Sequence, residues 1–173
     1  MRPEIEKLLN QRVSLRRYQD KAITKEDLEF ILQGAMRAPT AGNMMLYSII
    51  KVEDEQAKLT LSKTCDNQAF IAKAPTILIF CADYQRWYDY FEKTGVKAEA
   101  MARNEIYETP KEGDFMLATM DALIASAYAN IAAESIGVGS CYIGDIIENY
   151  EIHQELLDLP KWVIPVGMLT LGY

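Results

Sequence analysis

Alternate positions near the start of this chain carry two arginines and a serine, Arg12, Ser14 and Arg16. If the backbone of Arg12-Val13-Ser14-Leu15-Arg16-Arg17-Tyr18 is extended, these three side chains share a face. Two guanidinium groups and a hydroxyl then form a comb for an anion, and arginine can grip a phosphate bidentately. A solvated basic turn would have the same composition. A second segment, Pro39-Thr40-Ala41-Gly42-Asn43, offers small residues that let a ligand approach the backbone, with a hydroxyl and an amide to bond it. An ordinary helix-to-strand turn also uses these residue types. The third, Gly139-Ser140-Cys141-Tyr142-Ile143-Gly144, can lay a flat backbone against a flat ring, or serve as a glycine-flanked edge strand.

Other chemistry is missing from the sequence. His153 is the single histidine, and no motif links it to a serine or cysteine nucleophile, which argues against a hydrolase triad. There is no HExxH, no CxxC and no carboxylate-rich calcium-type loop, so no dedicated metal site is expected. Gly137-Val138-Gly139 follows a helical pattern instead of a strand, which makes it a poor dinucleotide fingerprint. The net charge of −7 and pI near 4.8 argue against a broad grip on nucleic acid or an anionic membrane, and favour a small-molecule partner. Cys65, Cys81 and Cys141 are odd in number and widely spaced, as suits free thiols in a reducing cytoplasm.

These segments need elements to position them. Ile5, Leu8 and Leu9 predict a helix over residues 3–12. Thr24 reads as the N-cap of a second helix starting near Lys25 and ending before Pro39. LYSIIKVE reads as a strand, Glu55–Lys63 and Gln68–Ala72 as helices, and PTILIFCAD as a central strand. Residues 84–112 mix aromatics with charges and read as a variable, mobile helical excursion. The stretch from Phe115 to Ile136 is apolar on nearly every face, and Asp121, Asn130 and Glu134 make it a buried helix more readily than a membrane span. So small a chain cannot cover such a helix alone, which points to a partner subunit. Gly137 reads as its left-handed stop, SCYIG as a short extended piece, Ile152–Leu157 as a brief helix and Trp162–Leu171 as the last strand. Helices and strands mix without a βαβ rhythm, so one α+β domain over residues 1–173, with a largely antiparallel sheet flanked by helices, is expected.

Four ordered blocks, RVSLRRYQDKAIT, APTAGNMMLYSIIKV, DNQAFIAKAPTILIFCADYQRW, and IAAESIGVGSCYIGDI followed by LPKWVIPVGMLTLGY, resemble the FMN-dependent nitroreductase family, and within it the NADPH-dependent nitro and flavin reductases. The resemblance runs from Ile5 to Tyr173. It implies an α+β homodimer with FMN at the subunit interface. Arg12, Val13, Ser14 and Arg16 would form the first flavin-binding segment, with Arg16 nearest the phosphate and Arg12 a candidate to stabilise charge on the reduced ring. Pro39, Thr40, Ala41 and Asn43 would come from the other subunit, Gln68 would contact the flavin's polar edge, and Tyr142, Ile143 and Gly144 would lie along the ring.

The implied activity is electron transfer from NADPH or NADH to a nitroaromatic, quinone or flavin acceptor. Donor and acceptor would use one ring face in turn, with ping-pong kinetics and without a protein acid or base. Residues 84–112 would cover the site. Two features depart from the family pattern. Asp145 stands where relatives often carry a second glycine, and its carboxylate would repel a phosphate unless turned away or paired. The sequence ends at Tyr173, where relatives continue into a basic segment, which implies weaker FMN retention. A flavin carrier or regulator with little turnover is the alternative reading, and a cofactor-free dimerisation module a more distant one.

Overall fold

Eight consecutive residues, Thr76 to Asp83, are buried without a break, as a strand covered on both faces must be. This strand, β2 (Thr76–Asp83), joins β1 (Tyr47–Val52), β3 (Gly139–Ile143) and β4 (Val163–Gly172) in one sheet of order β1-β2-β4-β3. All three pairings are antiparallel. The computed structural model describes residues 2–173. Its α+β architecture is the one expected from the sequence.

Side chains of the two inner strands alternate between two cores. Leu78, Phe80, Ala82, Leu169 and Leu171 face α2 (Lys25–Met36) and α7 (Glu112–Ser135). Ile77, Ile79, Cys81 and Met168 face the other side, toward α3 (Glu55–Thr64), α4 (Ala69–Ala72) and α8 (Tyr150–Leu156). A fully buried aliphatic side chain contributes about 1.5–3 kcal/mol, so this doubly covered sheet is the rigid frame on which the loops hang. Gly34 lets α2 close on α7, since a Cβ there would lie 2.7 Å from the Ala132 Cβ.

The helix ends follow local chemistry. Thr24 Oγ1 accepts from the Asp27 N–H at 3.1 Å and starts α2, a cap worth about 1 kcal/mol. Gly137, at φ 78°, ends α7 in the left-handed region. Its N–H donates to Glu134 O and the Val138 N–H to Ala133 O, which satisfies the last carbonyls. The remaining helices are α1 (Arg2–Gln11) and the pair α5 (Gln85–Lys93) and α6 (Val96–Ala102), which make the 84–112 excursion helical.

Within one chain, α7 is covered on one face only, by α2 and the sheet, through Ala118, Ala122, Ala125, Ala129 and Ala133. On another face Met116 is 65% exposed and Met120 57%, with Tyr128 also exposed. By length and composition alone α7 could cross a membrane, but its alanine face forms part of the main core and its Asp121 carboxylate is engaged by backbone.

Candidate functional site

From the end of α1 the chain runs beside β3. Ser14 bridges Ser140 in parallel, and the Leu15 N–H donates to Ser140 O at 2.7 Å, so the segment is extended at its centre. Leu15 turns inward over Gly139, where a Cβ would meet Leu15 Cδ2 at 2.6 Å. The same Cβ would also come 3.2 Å from the Leu15 Cβ, so glycine at 139 gives Leu15 room to pack close on the strand. Arg16 is exposed, its guanidinium 5.9 Å from the centre of the Phe70 ring, while Arg12 is half-buried and Val13 exposed. Tyr18 anchors the loop's far end by donating to Thr170 Oγ1 at 2.7 Å. Burial raises its pKa to about 12, so it remains neutral. Arg12, Arg16 and Arg17 form no ion pair with a described residue. Arg16, Arg17 and Lys73 line a cavity of about 460 Å³ with Tyr18 and Phe70, and no carboxylate shares it.

The turn after α3 brings Gln68 to the same region. Asp66 and Asn67 adopt left-handed φ values of 57° and 52°, reversing the chain into α4. The Gln68 Nε2 group donates to Cys65 O at 3.1 Å and to Asp145 Oδ2 at 2.8 Å. Asp145, expected to be repulsive unless turned away or paired, is held by the Gln68 amide, a neutral donor that satisfies one oxygen without neutralising the carboxylate's charge. It follows Gly144, which is exposed at the end of β3. Ile143 sends its side chain into the core beneath the sheet, so only its backbone is open to a ligand. Tyr142 is 43% exposed and lays its ring across Gly167, where a Cβ would lie 2.6 Å from its hydroxyl. Desolvation there raises the tyrosine's pKa.

Pro39–Asn43 does not join this group within one chain. The loop enters β1 at one edge of the sheet, while β3 forms the other. Three strand spacings, about 14 Å, separate the two edges. Buried Asp121 of α7 holds the loop: Oδ1 accepts from the Ala41 N–H at 2.9 Å and Oδ2 from the Leu46 N–H at 3.1 Å. Thr40 Oγ1 accepts from the Met45 N–H at 3.3 Å. Gly42, Asn43 and Met45 all have positive φ, and the Asn43 side chain is left exposed. The Trp87 Nε1–H donates to Met44 O at 2.8 Å, tying the loop to α5. Sequence reasoning used Asp121 only as an obstacle to membrane insertion. Its one usable signal was a carboxylate inside an otherwise apolar helical run, which must find donors or not be buried.

His153 needs correcting. Its sequence context held no nucleophile, yet Cys65 Sγ lies 4.0 Å from its Nε2, because α8 packs over the end of α3. The pair is nevertheless inert as a thiolate–imidazolium dyad. Burial, with the Asp145 charge adding to it, raises the Cys65 thiol to about 12, and burial lowers His153. Nδ1–H donates to Ile146 O at 2.8 Å, which leaves Nε2 to accept from Thr64 at 2.7 Å.

The segment that carries Arg16, the Gln68 turn and the end of β3 thus lie at one edge of the sheet; Arg16 and Arg17 share a cavity there, which Arg12 does not line. The Nitroreductase family model matches residues 9–173. The chain belongs to the nitroreductase family. Among curated relatives, an FMN reductase (NADPH) of Bacillus subtilis is 34% identical over all of this chain and 66% of its own length. An oxygen-insensitive NADPH nitroreductase of Salmonella typhimurium is 31% identical, over all of this chain and 66% of its length. This nitroreductase-family chain therefore spans just under two thirds of the length of those relatives. Among solved structures, a Bacillus subtilis nitroreductase superposes with a TM-score of 0.87 at 33% identity, covering 98% of this chain and 66% of that one. The NADPH:FMN oxidoreductase of Vibrio harveyi, solved with NAD+, gives 0.81 at 28% identity, covering 98% and 68%.

Proposed function

We propose that this nitroreductase-family chain forms a homodimer holding FMN at its interface, and passes electrons from NADPH or NADH to a flat nitroaromatic, quinone or flavin acceptor. One observation carries the reading: two guanidinium groups and an ammonium, those of Arg16, Arg17 and Lys73, line one cavity with no carboxylate in its wall and form no ion pair with a described residue. In a chain of net charge −7, so local an excess of positive charge suits a phosphate dianion, and the flat strand end beside it suits a planar ring. The donor set therefore fits FMN. The names of the relatives, FMN reductase and NADPH nitroreductase, point the same way.

When bound, FMN supplies the electron-transfer chemistry. The chain's part is to bind and orient. Arg12, Ser14 and Arg16 hold the phosphate and the adjoining polar groups, with Arg12 providing positive field where negative charge develops. Gln68 addresses the polar edge of the ring, and Tyr142 with the Ile143–Gly144 backbone supports its face. Pro39, Thr40, Ala41 and Asn43 reach the second site of the dimer from the other subunit. That assignment is supported by the position of the loop at the far edge of the sheet. The exposed methionines of α7 give the dimer an apolar surface to bury.

The roots of the 84–112 excursion, Tyr84 and Pro110, wall an apolar cavity of about 420 Å³ with Phe115 and Trp162, which supports its role as a cover selecting flat, apolar acceptors. Three unpaired, buried cysteines suit the reducing cytoplasm.

The test is the absorbance spectrum of the purified protein with its mass in solution, followed by stopped-flow mixing with NADPH. Bound flavin, a dimer, bleaching on NADPH and recovery on adding a nitroarene or quinone support the proposal, and parallel double-reciprocal plots support turn-taking at one face. A monomer that refuses excess FMN refutes it. Flavin that binds but does not bleach supports a carrier instead.

A further inference from the structure

Two acceptors claim the same side-chain amide. Cys65 O is a backbone carbonyl and Asp145 Oδ2 a carboxylate oxygen, and Gln68 meets both, at 3.1 Å and 2.8 Å, with its nitrogen. Neither can donate, so the amide has no freedom to turn over: its NH2 is committed to these two acceptors and its Oε1 is the atom left for a ligand. Oε1 accepts nothing from a described residue. The carboxylate is the stronger of the two anchors, and it stands on a fixed base. Asp145 starts a short 3-10 turn in which the Ile147 N–H donates to Gly144 O and the Glu148 N–H to Asp145 O, each at 3.1 Å.

We propose that Asp145 is a positioning residue that fixes the polarity of Gln68, so that the site presents an acceptor and selects a ligand edge carrying an N–H donor. The inference rests on the flavin reading above. On the polar edge of oxidised FMN, two carbonyl acceptors flank a single donor, N3–H. A Gln68 that offers Oε1 is matched to N3–H, and a Gln68 turned over would be matched to the carbonyls. Asp145 touches neither the ring nor the phosphate in this account; it acts through Gln68.

The experiment binds FMN labelled with 15N at N3 to the full chain and follows exchange of the N3 proton with water by NMR. A hydrogen bond from N3–H to Gln68 Oε1 slows exchange by about ten-fold relative to free FMN. Asp145→Asn keeps an acceptor oxygen for the Gln68 amide and retains the protection. Asp145→Ala loses it while the flavin stays bound, as its colour reports. Equal protection in Asp145→Ala and wild type overturns the proposal.

Should Asp145→Ala fail to fold, a second pair of variants decides. Gln68→Glu sets two carboxylates against each other and weakens flavin binding. Adding Asp145→Asn supplies an Nδ2 donor to the new carboxylate and restores both binding and N3–H protection. No recovery in the double variant also overturns the proposal. Failure of wild type to bind FMN at all would remove the flavin reading itself, and is seen separately as the absence of any visible absorbance.

Discussion

Replacing Asp121 by alanine removes the side chain through which, among the described residues, α7 hydrogen-bonds the loop leading into β1. Its carboxylate is 2% exposed and accepts from the N–H groups of Ala41 and Leu46. Hydrogen bonds to a charged acceptor contribute about 1.5–3 kcal/mol each, and a buried N–H left without a partner costs about 1–3 kcal/mol. Leu46 is fully buried and its amide would be orphaned, whereas Ala41 is half-buried and water can replace its partner. Removing a desolvated carboxylate gives some of the loss back. The net expectation is a destabilisation of about 2–4 kcal/mol, a large share of the roughly 5–15 kcal/mol that holds a domain folded.

Asp121→Asn should cost less, because one oxygen remains for one amide while its NH2 opposes the other. Urea unfolding measures the total, and amide hydrogen exchange at Ala41 and Leu46 measures the local effect. Both amides should exchange faster in the variant by more than distant core amides do. An unchanged unfolding midpoint with unchanged exchange at those two positions would refute the idea that Asp121 holds the loop. If the loop serves the partner's flavin, the same variant should also release FMN more readily.

Arg16→Ala should weaken FMN binding by about ten- to hundred-fold, measured by fluorescence titration, with Arg16→Lys recovering only part because the bidentate fork is lost; an unchanged Kd would remove Arg16 from the phosphate site. Gly139→Ala puts a Cβ 2.6 Å from Leu15 Cδ2 and should push residues 12–18 off β3. FMN affinity would then fall with little loss of the sheet's stability, and affinity equal to wild type would contradict it. Burial lowers the His153 pKa, so below about pH 6.5 the unfolded chain takes up a proton that the folded chain refuses. Stability should be full above that pH and fall as pH drops, by up to about 1.4 kcal/mol per pH unit. His153 is the only histidine, so urea midpoints at pH 7.5 and 5.5 should differ in wild type and converge in His153→Gln; a pH dependence that persists in the variant assigns it elsewhere.

Local chemistry made most of the fold legible. Thr24, Pro39 and Gly137 each act through the residues next to them, and the helices they bound end where the sequence implies. The unbroken run in β2 could be read as a central strand because a doubly covered strand has no polar face to show. What could not be read was contact between distant segments. Cys65 and His153 are separated by 88 residues, and nothing in either neighbourhood encodes the packing of α8 over α3. The carboxylate of Asp145 was legible as a disturbance near a phosphate, but its partner was not, since Gln68 lies 77 residues away across a turn that takes two left-handed residues to make.

The apolarity of α7 shows the boundary most clearly. A helix with small residues on one face and large ones on another records that both faces are wanted, but only the alanine face finds its cover within the chain, under α2 and the sheet. Burial of Met116 and Met120 requires a surface this chain does not supply, and so does bringing a loop at the β1 edge to the proposed phosphate site at the β3 edge about 14 Å away. A second subunit that covers α7 would satisfy both demands together, because Asp121 ties the loop to that helix. Dimerisation and flavin binding should therefore fail together when the exposed face of α7 is made polar. Met120→Glu serves as the perturbation, since its side chain is already outside the chain's own core. A monomeric Met120→Glu variant that keeps wild-type FMN affinity would separate the two and confine the flavin site to one chain.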